Sequence, residues 1–134
     1  MTLADAVVDA SVVVRGLTTK GEAADVFDQI AAGATVGHAP DLLVVEVSNA
    51  LALAVRTERR SLDDAQVLFG LLAASPIELH STGPLAPAAI ELAAMSDLSA
   101  YDSFYAVLAA ALEMPLVTAD RRLAAAVPGG VLVA

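Results

Sequence analysis

Ala6-Val7-Val8-Asp9-Ala10-Ser11 decides how this 134-residue chain is read. A short apolar run passes directly into an acid and then, two residues on, a hydroxyl. A run of this length is the pattern of a strand buried on both faces, as in parallel sheets covered by helices. An ionised carboxylate inside such a strand is costly unless it is paired or holds a cation. At the strand's carboxyl end it faces the crevice where open α/β sheets bind ligands. The stretch therefore predicts a strand over residues 5–10 and poses one chemical question, what Asp9 is for.

Outward from that strand, residues 11–20 read as a loop, with Gly16 and Thr18-Thr19-Lys20-Gly21 as breakers. Ala23, Val26, Phe27, Ile30 and Ala31 have the i, i+3, i+4, i+7, i+8 spacing of an amphipathic helix over 22–32, which Gly33 ends. Residues 35–39 are a candidate second strand, and 41–59 a long helix with Asp41 as its N-cap. Ser61-Leu62-Asp63-Asp64 has capping-box spacing for a helix to Ala74. A third strand is expected at 76–80, helices at 84–95 and 99–113, a fourth strand at 116–118, a short helix at 121–127 and a last strand at 131–133. Strands alternating with helices predict βαβ units and a mostly parallel sheet, in one domain spanning residues 1–134.

Composition bounds the function. Hydrophobic residues make up 57% of the chain, enough for a packed core and unlike a disordered segment. No apolar run, including the stretch Ala106 to Leu112 and the two aromatics before it, is long enough to span a bilayer, so no membrane association is expected. Met1-Thr2-Leu3-Ala4-Asp5 lacks the basic and apolar regions of an export signal, and a cytoplasmic location is the expectation. The absence of cysteine excludes disulfides, thiolate metal sites and a Cys nucleophile. Sixteen acids against seven bases give a net charge of −9, which opposes broad affinity for nucleic acid but leaves room for a local basic rim.

Three further acids can answer Asp9. Glu46 lies within the predicted 41–59 helix, beside the apolar stripe; it is either a stripe-edge side chain reaching water or a functional carboxylate, with Asn49 one turn on to hold it. Asp102 sits in Ser99-Ala100-Tyr101-Asp102, a capping-box pattern, so a cap competes with a catalytic role. Asp120 can cap the helix starting at Arg121, two residues after Thr118. Taken together, Asp9 and Asp120 end two parallel strands and Asp102 begins the helix leading into the second. Carboxylates gathered at one sheet edge repel and raise one another's pKa unless a cation neutralises them. Hard oxygen ligands favour Mg²⁺, with Mn²⁺ as a substitute, over Zn²⁺, and phosphodiester hydrolysis is the chemistry such sites serve. His38 and His80 form no recognisable spacing motif and read as separate surface or strand-end residues. Tyr101, Phe104 and Tyr105, around Asp102, read as packing.

Four stretches carry a resemblance: Val7-Val8-Asp9-Ala10-Ser11, Pro40 to Leu51, Leu98 to Ala109, and Leu116-Val117-Thr118-Ala119-Asp120-Arg121-Arg122-Leu123. In this order they resemble the PIN-domain ribonucleases, and among them the VapC-type toxins of bacterial toxin–antitoxin pairs. The resemblance implies a three-layer α/β/α sandwich on a parallel sheet. It places the family's acids on Asp9, Glu46, Asp102 and Asp120, with Asp9, Asp102 and Asp120 as metal ligands, and its hydroxyls on Ser11 and Thr118. It implies Mg²⁺-dependent RNA cleavage, a homodimer and a cognate antitoxin. Arg15 and Arg121 or Arg122 stand where phosphate contacts are expected. Two other readings remain: a non-catalytic PIN-like scaffold whose acids are caps, and another phosphate-handling α/β hydrolase. Against the latter, Ser11 replaces a second Asp, Lys20 is the lone lysine, and no phosphate-binding glycine loop occurs.

Overall fold

The computed structural model describes residues 4–134. Met1 to Leu3, where part of the expectation of no export signal falls, lie outside the described residues. Five strands, β1 (Ala6–Val8), β2 (Gly37–Pro40), β3 (Glu78–His80), β4 (Leu116–Thr118) and β5 (Gly130–Leu132), form one sheet. All its pairings are parallel, in the order β3-β2-β1-β4-β5. Seven helices connect them: α1 (Ala10–Thr18), α2 (Glu22–Ala31), α3 (Leu42–Arg56), α4 (Leu62–Ala74), α5 (Ala86–Ala94), α6 (Ala100–Leu112) and α7 (Arg121–Ala126). Among the described residues no helix is long and apolar enough to cross a membrane.

The strand order explains the layers. The chain steps from β1 to β2 to β3 in one direction, then returns past β1 to add β4 and β5. Right-handed crossovers put the connections made in opposite directions on opposite faces of a sheet. α1 accordingly packs on α2, α3 and α4, while α5 packs on α6, giving the α/β/α sandwich that the family resemblance implies. The central strands β1 and β4 are buried throughout, and Val7, Val8, Leu116 and Val117 are fully covered. Each such apolar side chain contributes about 2 kcal/mol by leaving water. The order reverses between β1 and β4, so the topological switch point, where such folds bind ligands, opens at their carboxyl ends.

The structure corrects the predicted strand and loop at 5–20. β1 stops at Val8, and residues 10–18 are helical. Asp9 caps that helix: its carboxylate accepts the Val12 N–H at 3.1 Å. Val12 and Val13 bury into the core, which an exposed loop would not require. Gly16 is a close-approach residue rather than a breaker. A Cβ there would lie 2.9 Å from Phe27 Cβ and 3.1 Å from the Ala23 carbonyl oxygen, so its absence lets α1 press against α2. Asp41 precedes α3 but makes no side-chain cap, whereas Ser61 caps α4 through the Asp64 N–H. The histidines are not separate residues either: parallel pairing of β2 with β3 brings His38 Nδ1 within 3.0 Å of His80 Nε2.

Candidate active site

Asp9 is the fixed point of the crevice. It is 5% exposed, and three donors hold its carboxylate. Ser11 Oγ donates to Oδ1 at 2.6 Å, the Val12 N–H to the same oxygen at 3.1 Å, and the Thr118 hydroxyl to Oδ2 at 2.5 Å. With both hydroxyl protons committed to Asp9, the 3.3 Å approach of Ser11 Oγ to Thr118 Oγ1 is a contact between oxygens. Their lone pairs are used in turn: Ser11 Oγ accepts the Ala119 N–H and Thr118 Oγ1 accepts the Asp120 N–H, each at 2.9 Å. The end of β1 is thereby stitched to the end of β4. An ionised carboxylate has about four acceptor positions; three are filled, leaving one for a cation.

Glu46 projects from α3 and accepts a 2.6 Å hydrogen bond at Oε1 from the hydroxyl of Tyr105 on α6. Asn49, the predicted helper, is exposed, and Tyr105 takes that part instead. Tyr105 is 1% exposed, so the bond lies against the core. It stands one turn after Asp102, on the same face of α6, and this spacing is the signal by which it was identifiable. Asp102 follows the capping Ser99, whose hydroxyl oxygen accepts the Asp102 N–H, and its own Oδ2 lies 3.9 Å from Arg122 Nη2. Asp120 caps α7, with Oδ1 accepting the N–H groups of Arg122 and Leu123. Arg15 and Arg121 line a groove of about 300 Å³ together with Glu22 and Ala119. A larger apolar cavity of about 560 Å³, between α6 and the Pro128 turn, contains none of the four acids.

Charge ties these groups together. Burial raises the pKa of Asp9; the bonds from Ser11, Thr118 and Val12 oppose that, and Asp102 adds to it. Glu46 is raised by burial first, lowered by Tyr105, and raised by the charges of Asp102 and Asp9. Asp102 is raised by burial and by Asp120, against the pull of Ser99 and Arg122. Tyr105, buried beside Glu46, is pushed far above the ordinary phenol range, so it remains a donor. Three carboxylates held above their ordinary pKa by burial and by neighbouring acids, faced by one exposed arginine, make an oxygen donor set suited to a hard divalent cation. As placed, the acids are not drawn together around one point. Among the described residues, the group of three side chains whose ligand atoms lie within 4.8 Å of one another is His38, Glu78 and His80.

Comparison with known proteins identifies the family and the fold. Residues 6–127 match the PIN-domain family model. Ribonuclease VapC1 of Mycobacterium tuberculosis, in strains CDC 1551 / Oshkosh and ATCC 25618 / H37Rv, is 38% identical over 127 residues, covering 93% of this chain and 92% of the relative. The crystal structure of PAE2754 from Pyrobaculum aerophilum superimposes with a TM-score of 0.75 at 25% identity, covering 96% of this chain and 83% of that one. The chain belongs to the PIN-domain family, as a member of the VapC type.

Proposed function

We propose that this protein is a Mg²⁺-dependent endoribonuclease, the toxin of a toxin–antitoxin pair, acting as one domain over residues 1–134. The observation that carries the reading is that Asp9, Glu46 and Asp102 stand within electrostatic reach of one another at the switch point, each raised in pKa by burial and by neighbouring acids. Asp9 and Asp102 are the proposed principal ligands, with Asp120 adding its free Oδ2. When bound, a hard cation supplies positive charge to the phosphate oxygens and favours deprotonation of the attacking water. The chain's residues do the rest. Ser11 and Thr118 fix the Asp9 carboxylate plane. Glu46, its pKa raised by burial and its orientation set by Tyr105, accepts the proton of the attacking water. Arg15 and Arg121, sharing one groove beside Ala119, hold phosphates of the strand on either side of the cut. Asp120 caps α7 through Oδ1, which leaves Oδ2 for the proposed cation.

The proposed partners are RNA, a cognate antitoxin and a second copy of the chain, in the cytoplasm. In support of a protein partner, α3 and α4 present Val45, Leu53, Leu62, Val67 and Leu71, each more than half exposed. The test is cleavage of structured RNA by wild type with Mg²⁺, by wild type with EDTA, and by Asp9→Asn with Mg²⁺. Cleavage in the first alone is the expected result. Equal cleavage in all three would remove the assignment.

A further inference from the structure

We infer that the β2–β3 edge of the sheet carries a second metal site, for a borderline transition-metal ion such as Zn²⁺, built from His38, Glu78 and His80. The strand register creates it. His38 pairs directly with Glu78, and Pro40 with His80. Side chains alternate faces along a strand, so Glu78 and His80, two apart, share the face on which His38 stands.

The distances suit the ion. His38 Nδ1 lies 3.0 Å from His80 Nε2 and 3.4 Å from a Glu78 carboxylate oxygen. A tetrahedral Zn²⁺ with bonds of about 2.0–2.1 Å needs ligand atoms about 3.3 Å apart. Both spacings from His38 therefore match tetrahedral edges, and the third pair, Glu78 and His80, lies within 4.8 Å, close enough for side-chain rotation to seat the ion. The bond between the two ring nitrogens already requires one of them to present a lone pair, and an ion replaces the shared proton. His38 is 8% exposed, so its ring is fixed by packing. Glu78 is 62% exposed in its side chain and β3 is an edge strand, which leaves an entry path and a fourth position open to water. Two imidazoles and one carboxylate select Zn²⁺, Co²⁺ or Ni²⁺ over Mg²⁺. The ion would clamp β3 to β2 where the chain enters α3, since the Asp41 N–H donates to the His80 carbonyl at 2.8 Å. This site stands independently of the proposed nuclease chemistry.

The experiment uses tag-free, chelator-stripped full-length protein. Zn²⁺ is titrated by calorimetry and Co²⁺ by visible absorption, with thermal unfolding in parallel. One equivalent of Zn²⁺ should bind and raise the Tm, Co²⁺ should give the intense bands of tetrahedral coordination, and excess Mg²⁺ should not displace either. His80→Gln should weaken binding by at least about tenfold, the minimum for losing a direct ligand. Glu78→Gln, on the exposed edge and safe for folding, should weaken it too. Asp9→Asn/Asp102→Asn should bind as wild type does. No saturable binding would overturn the inference. So would binding that survives both His80→Gln and Glu78→Gln, or binding lost in Asp9→Asn/Asp102→Asn.

Discussion

Replacing Thr118 by valine tests whether the crevice is held together by hydrogen bonds to a buried charge. Thr118 is fully buried, and valine has nearly its shape. The substitution deletes the 2.5 Å donation to Asp9 Oδ2 and the acceptor of the Asp120 N–H. A hydrogen bond to a charged group is worth about 1.5–3 kcal/mol, and a polar group left unpaired costs about 1 kcal/mol more. The new methyl recovers little because it faces a carboxylate. We expect a loss of roughly 2–4 kcal/mol at neutral pH, or about 6–16 °C in Tm for a chain of this size. Thr118→Ser keeps the hydroxyl and should lose only about 1 kcal/mol for the missing methyl. The deficit also has a pH signature. Burial raises Asp9 and the Thr118 bond lowers it, so the valine variant has the higher folded-state pKa. Above both folded values Asp9 is ionised in both proteins and the deficit is complete. As the pH falls, the variant takes up its proton first and regains stability, so the gap narrows. Thermal unfolding of metal-free protein at several pH values reads this directly. A deficit below about 0.5 kcal/mol, or one that does not change with pH, would refute the reasoning, since surface-like substitutions fall in that range.

Asp9→Asn keeps a good helix cap while removing the charge, so it should abolish RNA cleavage yet raise the Tm of metal-free protein. Because the folded-state pKa of Asp9 is raised, its contribution to stability is most favourable below the ordinary carboxylate value. That contribution is lost as pH rises through the folded value; the Tm gain of the variant must therefore grow with pH, and a gain that shrinks would contradict the sign. Tyr105→Phe removes the bond that lowers Glu46; the acid limb of the pH–rate profile should move to higher pH, and an unmoved limb would exclude Glu46 as the base. Gly16→Ala adds a Cβ 2.9 Å from Phe27 Cβ. Crowding of about 1–3 kcal/mol should outweigh the roughly 1 kcal/mol helix-propensity gain, and a raised Tm would show that α1 and α2 can separate freely. A non-cleavable RNA should bind wild type far more weakly in EDTA than in Mg²⁺, whereas Asp9→Asn/Asp102→Asn, with fewer charges to offset, should bind about equally in the two buffers; equal wild-type affinity in the two buffers would limit the cation to a catalytic role.

What the sequence made legible follows from how local each signal is. Alternation of apolar strands with periodic helices fixed the parallel sheet, and Ser61 cap chemistry marked α4. Residues 10–18 are helical although Gly16 has the look of punctuation. The reason for Gly16 is a contact with Phe27, eleven residues away and on another helix, which no window along the chain reports. The acids were individually ambiguous because Asp102 and Asp120 also stand at helix starts; only the sheet order, with β1 beside β4, places them near Asp9. Tyr105 reads as packing in the sequence, and it is packed, but its hydroxyl ends at Glu46, 59 residues away. The pairing of His38 with His80 depends on the β2–β3 register, a long-range property with no turn sequence to announce it.

The net charge of −9 sets the strongest constraint on how such a protein can use RNA. Of the seven basic residues, Arg122 faces Asp102, and Arg60 donates to the Thr18 carbonyl at 3.2 Å. Arg15 and Arg121 share a groove beside the crevice, and even there Glu22 lines the same wall. So few phosphate contacts release few counterions, and the salt dependence of binding should be shallow compared with that of a basic nuclease. The crevice itself, with Asp9, Glu46 and Asp102 unneutralised, repels a phosphate as strongly as it repels its own carboxylates. The same burial that makes these acids expensive to ionise makes a divalent cation effective at offsetting them, because the field is poorly screened by water. Under the proposed function, the conditions for holding the cation and for admitting the substrate are therefore one condition. An acidic surface discourages indiscriminate contact with RNA, and attraction is confined to the few ångströms around the loaded site.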